Sequence, residues 1–142
     1  MKNLKFYLLC GLASFFPSMT QAEIISCPSG QTIRIGEILG VVGFYSLKAT
    51  VTSDKGNRFN FEGGVQKLPN TAPSFSNTPV SAIAIQTFNN AKPSKRVFEL
   101  NCSYDIVTPS YKEHRVHLSV MIDPKFKTCT VNPGNYEFEC TE

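Results

Sequence analysis

Lys95-Arg96-Val97-Phe98-Glu99-Leu100-Asn101-Cys102-Ser103-Tyr104 is the stretch that decides the fold class. Phe98, Leu100, Cys102 and Tyr104 share one parity, and Arg96, Val97, Glu99, Asn101 and Ser103 lie around and between them. Successive side chains of an extended chain leave opposite faces of the pleat, so this period of two predicts a half-buried β-strand. Cys102 sits on the apolar parity, where a second sulfur can be reached inside a core.

The neighbouring segments read the same way. Upstream, Val80–Phe88 predicts a strand with Ile83 and Ile85 on one face and Ala82 and Ala84 on the other, although its alanines also allow a short helix. Asn89–Ser94 is a turn. Downstream, Asp105–Lys112 loses regularity at Pro109. Arg115–Asp123 then predicts a strong strand, with Val116, Leu118, Val120 and Ile122 on one face and Arg115, His117, Ser119 and Met121 on the other. Pro124 stops it.

Thr128–Cys140 predicts a terminal hairpin. A two-residue turn at Gly134-Asn135 places Val131 opposite Phe138 and Cys129 opposite Cys140. That register predicts a Cys129–Cys140 disulfide and, by elimination, a Cys27–Cys102 disulfide.

Earlier in the chain, Phe44–Phe61 predicts a hairpin. Leu47, Ala49 and Val51 alternate on its first arm, Asp54-Lys55-Gly56-Asn57 turns it, Phe59 and Phe61 alternate on its second arm, and Gly63-Gly64 ends it. Glu23–Ile35 predicts a short strand, a Pro28-Ser29-Gly30 turn, and a strand with Ile33 and Ile35 inward. Gly36, Gly40 and Gly43 lack the Lys-Ser/Thr pair and helix start of a phosphate loop, and predict an irregular loop or bulged strand. Val65–Pro79 carries Pro69, Pro73 and Pro79 and predicts a connection, pinned to the core by Phe75. No sustained helical periodicity and no internal repeat is present. The expected fold is all-β: a small antiparallel sandwich or flattened barrel of about eight strands, braced by disulfides.

The ends set the compartment. Lys2 and Lys5 precede an apolar run, Phe6 to Phe16, which Pro17-Ser18-Met19 breaks before Thr20-Gln21-Ala22. This is the layout of a secretory signal peptide, with cleavage expected after Ala22 and a single β domain over residues 23–142. Cys10 lies inside the apolar run and leaves with the leader, so no lipid anchor is expected. The mature chain has 142 − 22 = 120 residues and keeps Cys27, Cys102, Cys129 and Cys140, an even count that in an exported chain implies disulfides. Loss of Lys2 and Lys5 lowers the net charge from +3 to +1. A charge near zero argues against nucleic acid and against an anionic membrane surface as partner, and no membrane insertion is expected after cleavage. Lys92, Lys95 and Arg96 form a local basic cluster, which reads as a solvated turn and strand end in preference to a polyanion site.

Candidate chemistry is sparse. His114 and His117 stand three residues apart in a strand and point to opposite faces, so they cannot share a metal unless the strand bends. No serine stands in a Gly-x-Ser-x-Gly elbow. The four retained cysteines are explained as bridges. No catalytic residue, cofactor or metal is expected. What remains is surface: Phe44, Tyr45, Phe75, Tyr104, Tyr111 and Tyr136 lie in or near loops, and aromatic loops on a rigid scaffold are a route to protein or glycan recognition.

Cys27-Pro28 after the leader, the aromatic hairpin through Gly56–Phe61, and Phe98-Glu99-Leu100-Asn101-Cys102-Ser103-Tyr104 together resemble a domain-of-unknown-function family of small secreted bacterial proteins. The resemblance spans residues 25–122 and implies an exported, disulfide-bonded β-domain without a known activity. Ser26–Ile33 is also similar to the opening strand and turn of membrane-bound lysozyme-inhibitor proteins, which are small periplasmic β-barrels. Their Ser-Gly-x-x-Tyr inhibitory loop is absent downstream, so no residue is carried over. The expected function is a non-enzymatic, periplasmic or secreted β-domain that binds an unidentified protein or glycan. The alternative is an inhibitor of a hydrolase such as lysozyme or a protease, acting through Val65–Pro79 or Asp105–Lys112.

Overall fold

The structure is a computed structural model that describes residues 21–38, 40, 42–88 and 95–142. Residues 1–20 of the expected leader, with Cys10, and the turn at 89–94, with Lys92, lie outside the described residues. The described residues form nine strands: β1 (Glu23–Ser26), β2 (Arg34–Glu37), β3 (Phe44–Thr52), β4 (Arg58–Gln66), β5 (Ser81–Phe88), β6 (Arg96–Asp105), β7 (Arg115–Met121), β8 (Thr128–Asn132) and β9 (Glu137–Thr141). They form a six-stranded sheet, ordered β2-β3-β4-β7-β6-β5, and a three-stranded sheet, ordered β1-β9-β8. All pairings are antiparallel. The two sheets stay open rather than closing into a barrel: β5 and β8 are edges that approach each other without pairing.

Strand β6 buries its apolar parity as the alternation predicts, although Val97 and Ser103 on the other face are buried as well. Leu100, Cys102 and Tyr104 are buried in the core, with Phe98 packed against it. Its partners present the same face: Val116 and Leu118 from β7, and Ala82 and Ala84 from β5. Leu47, Ala49, Phe61 and Val65 extend the layer across β3 and β4. The small sheet closes over it with Ile25, Phe138 and Cys140. Tyr104, Phe61, Phe138, Ile25, Leu47, Leu100 and Leu118 have no measurable exposure, the signature of one continuous core between the sheets.

Both expected disulfides are present. Cys129 and Cys140 face each other in the β8–β9 ladder, and Val131 faces Phe138, as the hairpin register requires. Cys27, just past β1, reaches Cys102 on β6 across 75 residues of sequence, so this bridge ties the small sheet to the large one.

Several local expectations are corrected. The terminal hairpin keeps its register but turns through four residues, 133–136, rather than two; Tyr136 supplies the left-handed conformation, at φ 53°, that the two-residue turn would have asked of Gly134-Asn135. Gly63-Gly64 does not end the second hairpin, because β4 runs on to Gln66. A Cβ on Gly63 would lie 2.3 Å from the backbone oxygen of His117, so glycine marks a close approach of β4 and β7 rather than a stop. Ile33 is buried, but Ile35 is exposed on the edge strand β2, beyond the cover of the small sheet. In β1 the buried pair is Glu23 and Ile25. Gly36 belongs to β2, and Gly40 and Gly43 take positive φ in the turn that follows.

Candidate recognition surfaces

Strand β5 reads Ser-Ala-Ile-Ala-Ile-Gln-Thr-Phe and carries no charge. It forms the edge of the large sheet and pairs only with β6 among the described residues. Ala82 and Ala84 face inward opposite Cys102 and Leu100 and pack against the core, on a strand that β8 approaches. Parity therefore sends Ile83 and Ile85 outward, where they are 53% and 44% exposed. Across the outer face, Ile85, Glu99 and Met121 form one row, and Ile83, Asn101 and Ser119 the next. Met121 is half exposed, so apolar groups flank a polar strip on a flat sheet surface. Phe88, exposed at the strand's end, lies under the Arg96 guanidinium at 5.8 Å.

A second surface is a double loop. Within the connection at 65–79 and the segment at 105–112, residues 71–76 are bonded to residues 105–111. Ser76 donates its N–H to the Asp105 carbonyl at 2.9 Å, Val107 donates to the Ser74 carbonyl at 2.9 Å, and Ser74 donates to Thr108 Oγ1 at 2.8 Å. Phe75 bridges to Ile106 and packs against the core, as expected of a pinning residue. The Tyr111 hydroxyl donates to the Thr71 carbonyl at 3.1 Å. Exposed Pro69-Asn70 and Pro109-Ser110 remain at the surface of this braced unit, and Val107 is 57% exposed.

The aromatic residues expected at loops divide. Tyr104 and Tyr111 are buried and belong to the core, which removes them as recognition groups. The Tyr104 hydroxyl donates to the Pro28 carbonyl, and burial pushes its phenol pKa well above the usual range. Tyr45, Phe75 and Tyr136 are half-buried; Phe44 is half exposed. Phe44 joins Ile38 and Val42 around a shallow depression of about 380 Å³, rimmed by the Lys67–Glu37 ion pair at 2.7 Å.

The histidines do not converge. His117 is exposed on the outer face and bonds through Nδ1 to Ser103 Oγ at 2.6 Å; His114 precedes β7 in the loop. Among the described residues no group of three His, Cys, Asp or Glu is placed to hold a metal ion. The four cysteines are consumed in the two bridges.

Ile/Ala alternation separates the two faces of β5 without fixing which one turns inward; the register that sets Ala82 opposite Cys102 and Ala84 opposite Leu100 does so. No family model, no curated protein and no solved structure matches the chain.

Proposed function

We propose that the chain is an exported, non-enzymatic β-domain that binds a protein or glycan in the envelope or outside the cell, with a protein partner docking along β5. The observation that carries this reading is the edge of β5, unpaired among the described residues: eight uncharged residues with two outward isoleucines. Natural edge strands are commonly blunted by lysine, proline or bulges, and β5 has none of these in its eight residues. An extended partner segment added there would gain main-chain hydrogen bonds, with side-chain contacts to Ile83 and Ile85 selecting its sequence. Two disulfides support export, because such bonds persist in oxidising compartments. Among the described residues no helix is long and apolar enough to cross a membrane.

The test is capture from envelope extract and culture medium by the exported, oxidised protein, compared with an Ile83→Lys/Ile85→Lys variant. Both side chains are exposed, so the variant should keep its stability to within about 0.5 kcal/mol while losing the captured protein. Capture that survives the double substitution contradicts docking at β5, and capture of a glycan alone assigns binding to another face.

The braced double loop favours a second reading, inhibition of a hydrolase. A loop held by its own hydrogen bonds loses little conformational freedom on entering a catalytic cleft. Assays of lysozyme and secreted proteases with micromolar protein test it; undiminished hydrolysis removes it.

A further inference from the structure

A cleft of about 640 Å³ lies at one end of the molecule, where the starts of β6 and the end of β5 meet the connection from β7 to β8. Gln86, Lys95, Arg96, Asp123, Pro124, Lys125, Phe126 and Lys127 line it. Four cations against one lining carboxylate leave a surplus of three, which the Lys125–Glu142 pair lowers to two, against a surplus of three for the whole chain, 14 basic against 11 acidic side chains. Ten basic and ten acidic side chains therefore remain elsewhere, and removal of Lys2 and Lys5 with the leader would leave eight against ten. Most of the net charge of an almost neutral chain lies along one cleft.

The cations sit on fixed backbone. Asp123 is occupied as a turn former: its Oδ1 accepts the Lys125 N–H at 2.8 Å, and its carbonyl accepts the Phe126 N–H at 3.1 Å. Phe126 is buried and anchors the turn in the core. The Lys127 N–H donates to the Thr141 carbonyl at 2.7 Å, and its Nζ to the Pro124 carbonyl at 3.1 Å. Arg96 rests over Phe88. Lys125 Nζ meets Glu142 at 3.0 Å, an exposed pair that an anionic ligand would displace at small cost.

We infer that this cleft binds a phosphate-bearing ligand, with Lys95, Arg96, Lys125 and Lys127 as its cations. A surplus of two positive charges suits a multivalent oxyanion better than a single carboxylate, and three lysines with one arginine along one cleft offer donors to several oxygens. The cleft is separate from the exposed β5 isoleucines, so failure here leaves the strand-edge reading standing.

The experiment is titration of the exported, oxidised protein with inorganic tripolyphosphate, and in parallel with vesicles of phosphatidylcholine containing phosphatidylglycerol. Saturable tripolyphosphate binding is expected, weakened by salt, with each cation removed costing about two- to fivefold. Lys125→Glu/Lys127→Glu should abolish it. Arg34→Glu/Lys48→Glu, the same charge change on paired residues of β2 and β3, should leave it within about twofold. Equal loss in both variants, binding to vesicles but not to tripolyphosphate, or no binding at all would overturn the inference.

Discussion

Tyr104 shows how one side chain serves both packing and chain direction. Its ring fills the core beneath β6, and its hydroxyl satisfies the carbonyl of Pro28 beside the Cys27–Cys102 bridge. The adjoining Gly30 is fixed with it: a Cβ there would lie 1.8 Å from the Ser76 oxygen, so only glycine lets the 28–30 turn lie against the 76–77 segment. Tyr104→Phe keeps the ring and orphans the carbonyl, and should lower unfolding free energy by about 1–2 kcal/mol in chemical denaturation at neutral pH. Burial raises the phenol pKa above its ordinary 10.0, so the folded state holds the proton more tightly than the unfolded chain. That contribution is complete below about pH 10 and is lost as pH rises beyond it, and the variant should show a shallower alkaline decline. The alternation of residues 98–104 placed Tyr104 inward from sequence alone. Its nearness to a loop suggested recognition as well, and nearness along the chain carries no information about which face a strand residue takes.

Among the elements, the terminal hairpin and β5 mark what patterning can and cannot settle. Register in the hairpin follows from the pairing of Val131 with Phe138, so the Cys129–Cys140 bridge was legible; the turn was not, because a tyrosine took the left-handed conformation expected of glycine. The outward turn of Ile83 and Ile85 follows from the register that sets Ala82 opposite Cys102 and Ala84 opposite Leu100, a tertiary fact. The bridges differ in reach, with sequence separations of 75 and 11. On the chain-entropy account the longer loop restricts the unfolded chain by about 4 kcal/mol and the shorter by about 3. Replacing Cys27 and Cys102 by alanine should therefore lower the denaturation midpoint more than replacing Cys129 and Cys140; the reverse order would show that joining the two sheets matters less than closing the hairpin.

At the scale of the whole molecule, composition described a nearly neutral chain and spoke against a polyanionic partner, yet folding brings Lys125 and Lys127 beside Lys95 and Arg96 from about thirty residues away. Such convergence has no local signal. The nine-strand open sandwich was legible as an all-β, disulfide-braced fold because period-two alternation recurs through most of the chain, whereas which sheet each strand joins required the structure. Among the described residues the scaffold carries a charged cleft and, among its edge strands, the uncharged β5, where we propose that a partner docks. Site-specific photo-crosslinking from position 83, with position 48 on the far part of the same face as reference, measures this directly in envelope extract. The account predicts a discrete protein adduct from position 83 that is absent from position 48 and suppressed by Ile85→Lys; equal adducts at both positions, or none at position 83 where capture still occurs, would contradict it.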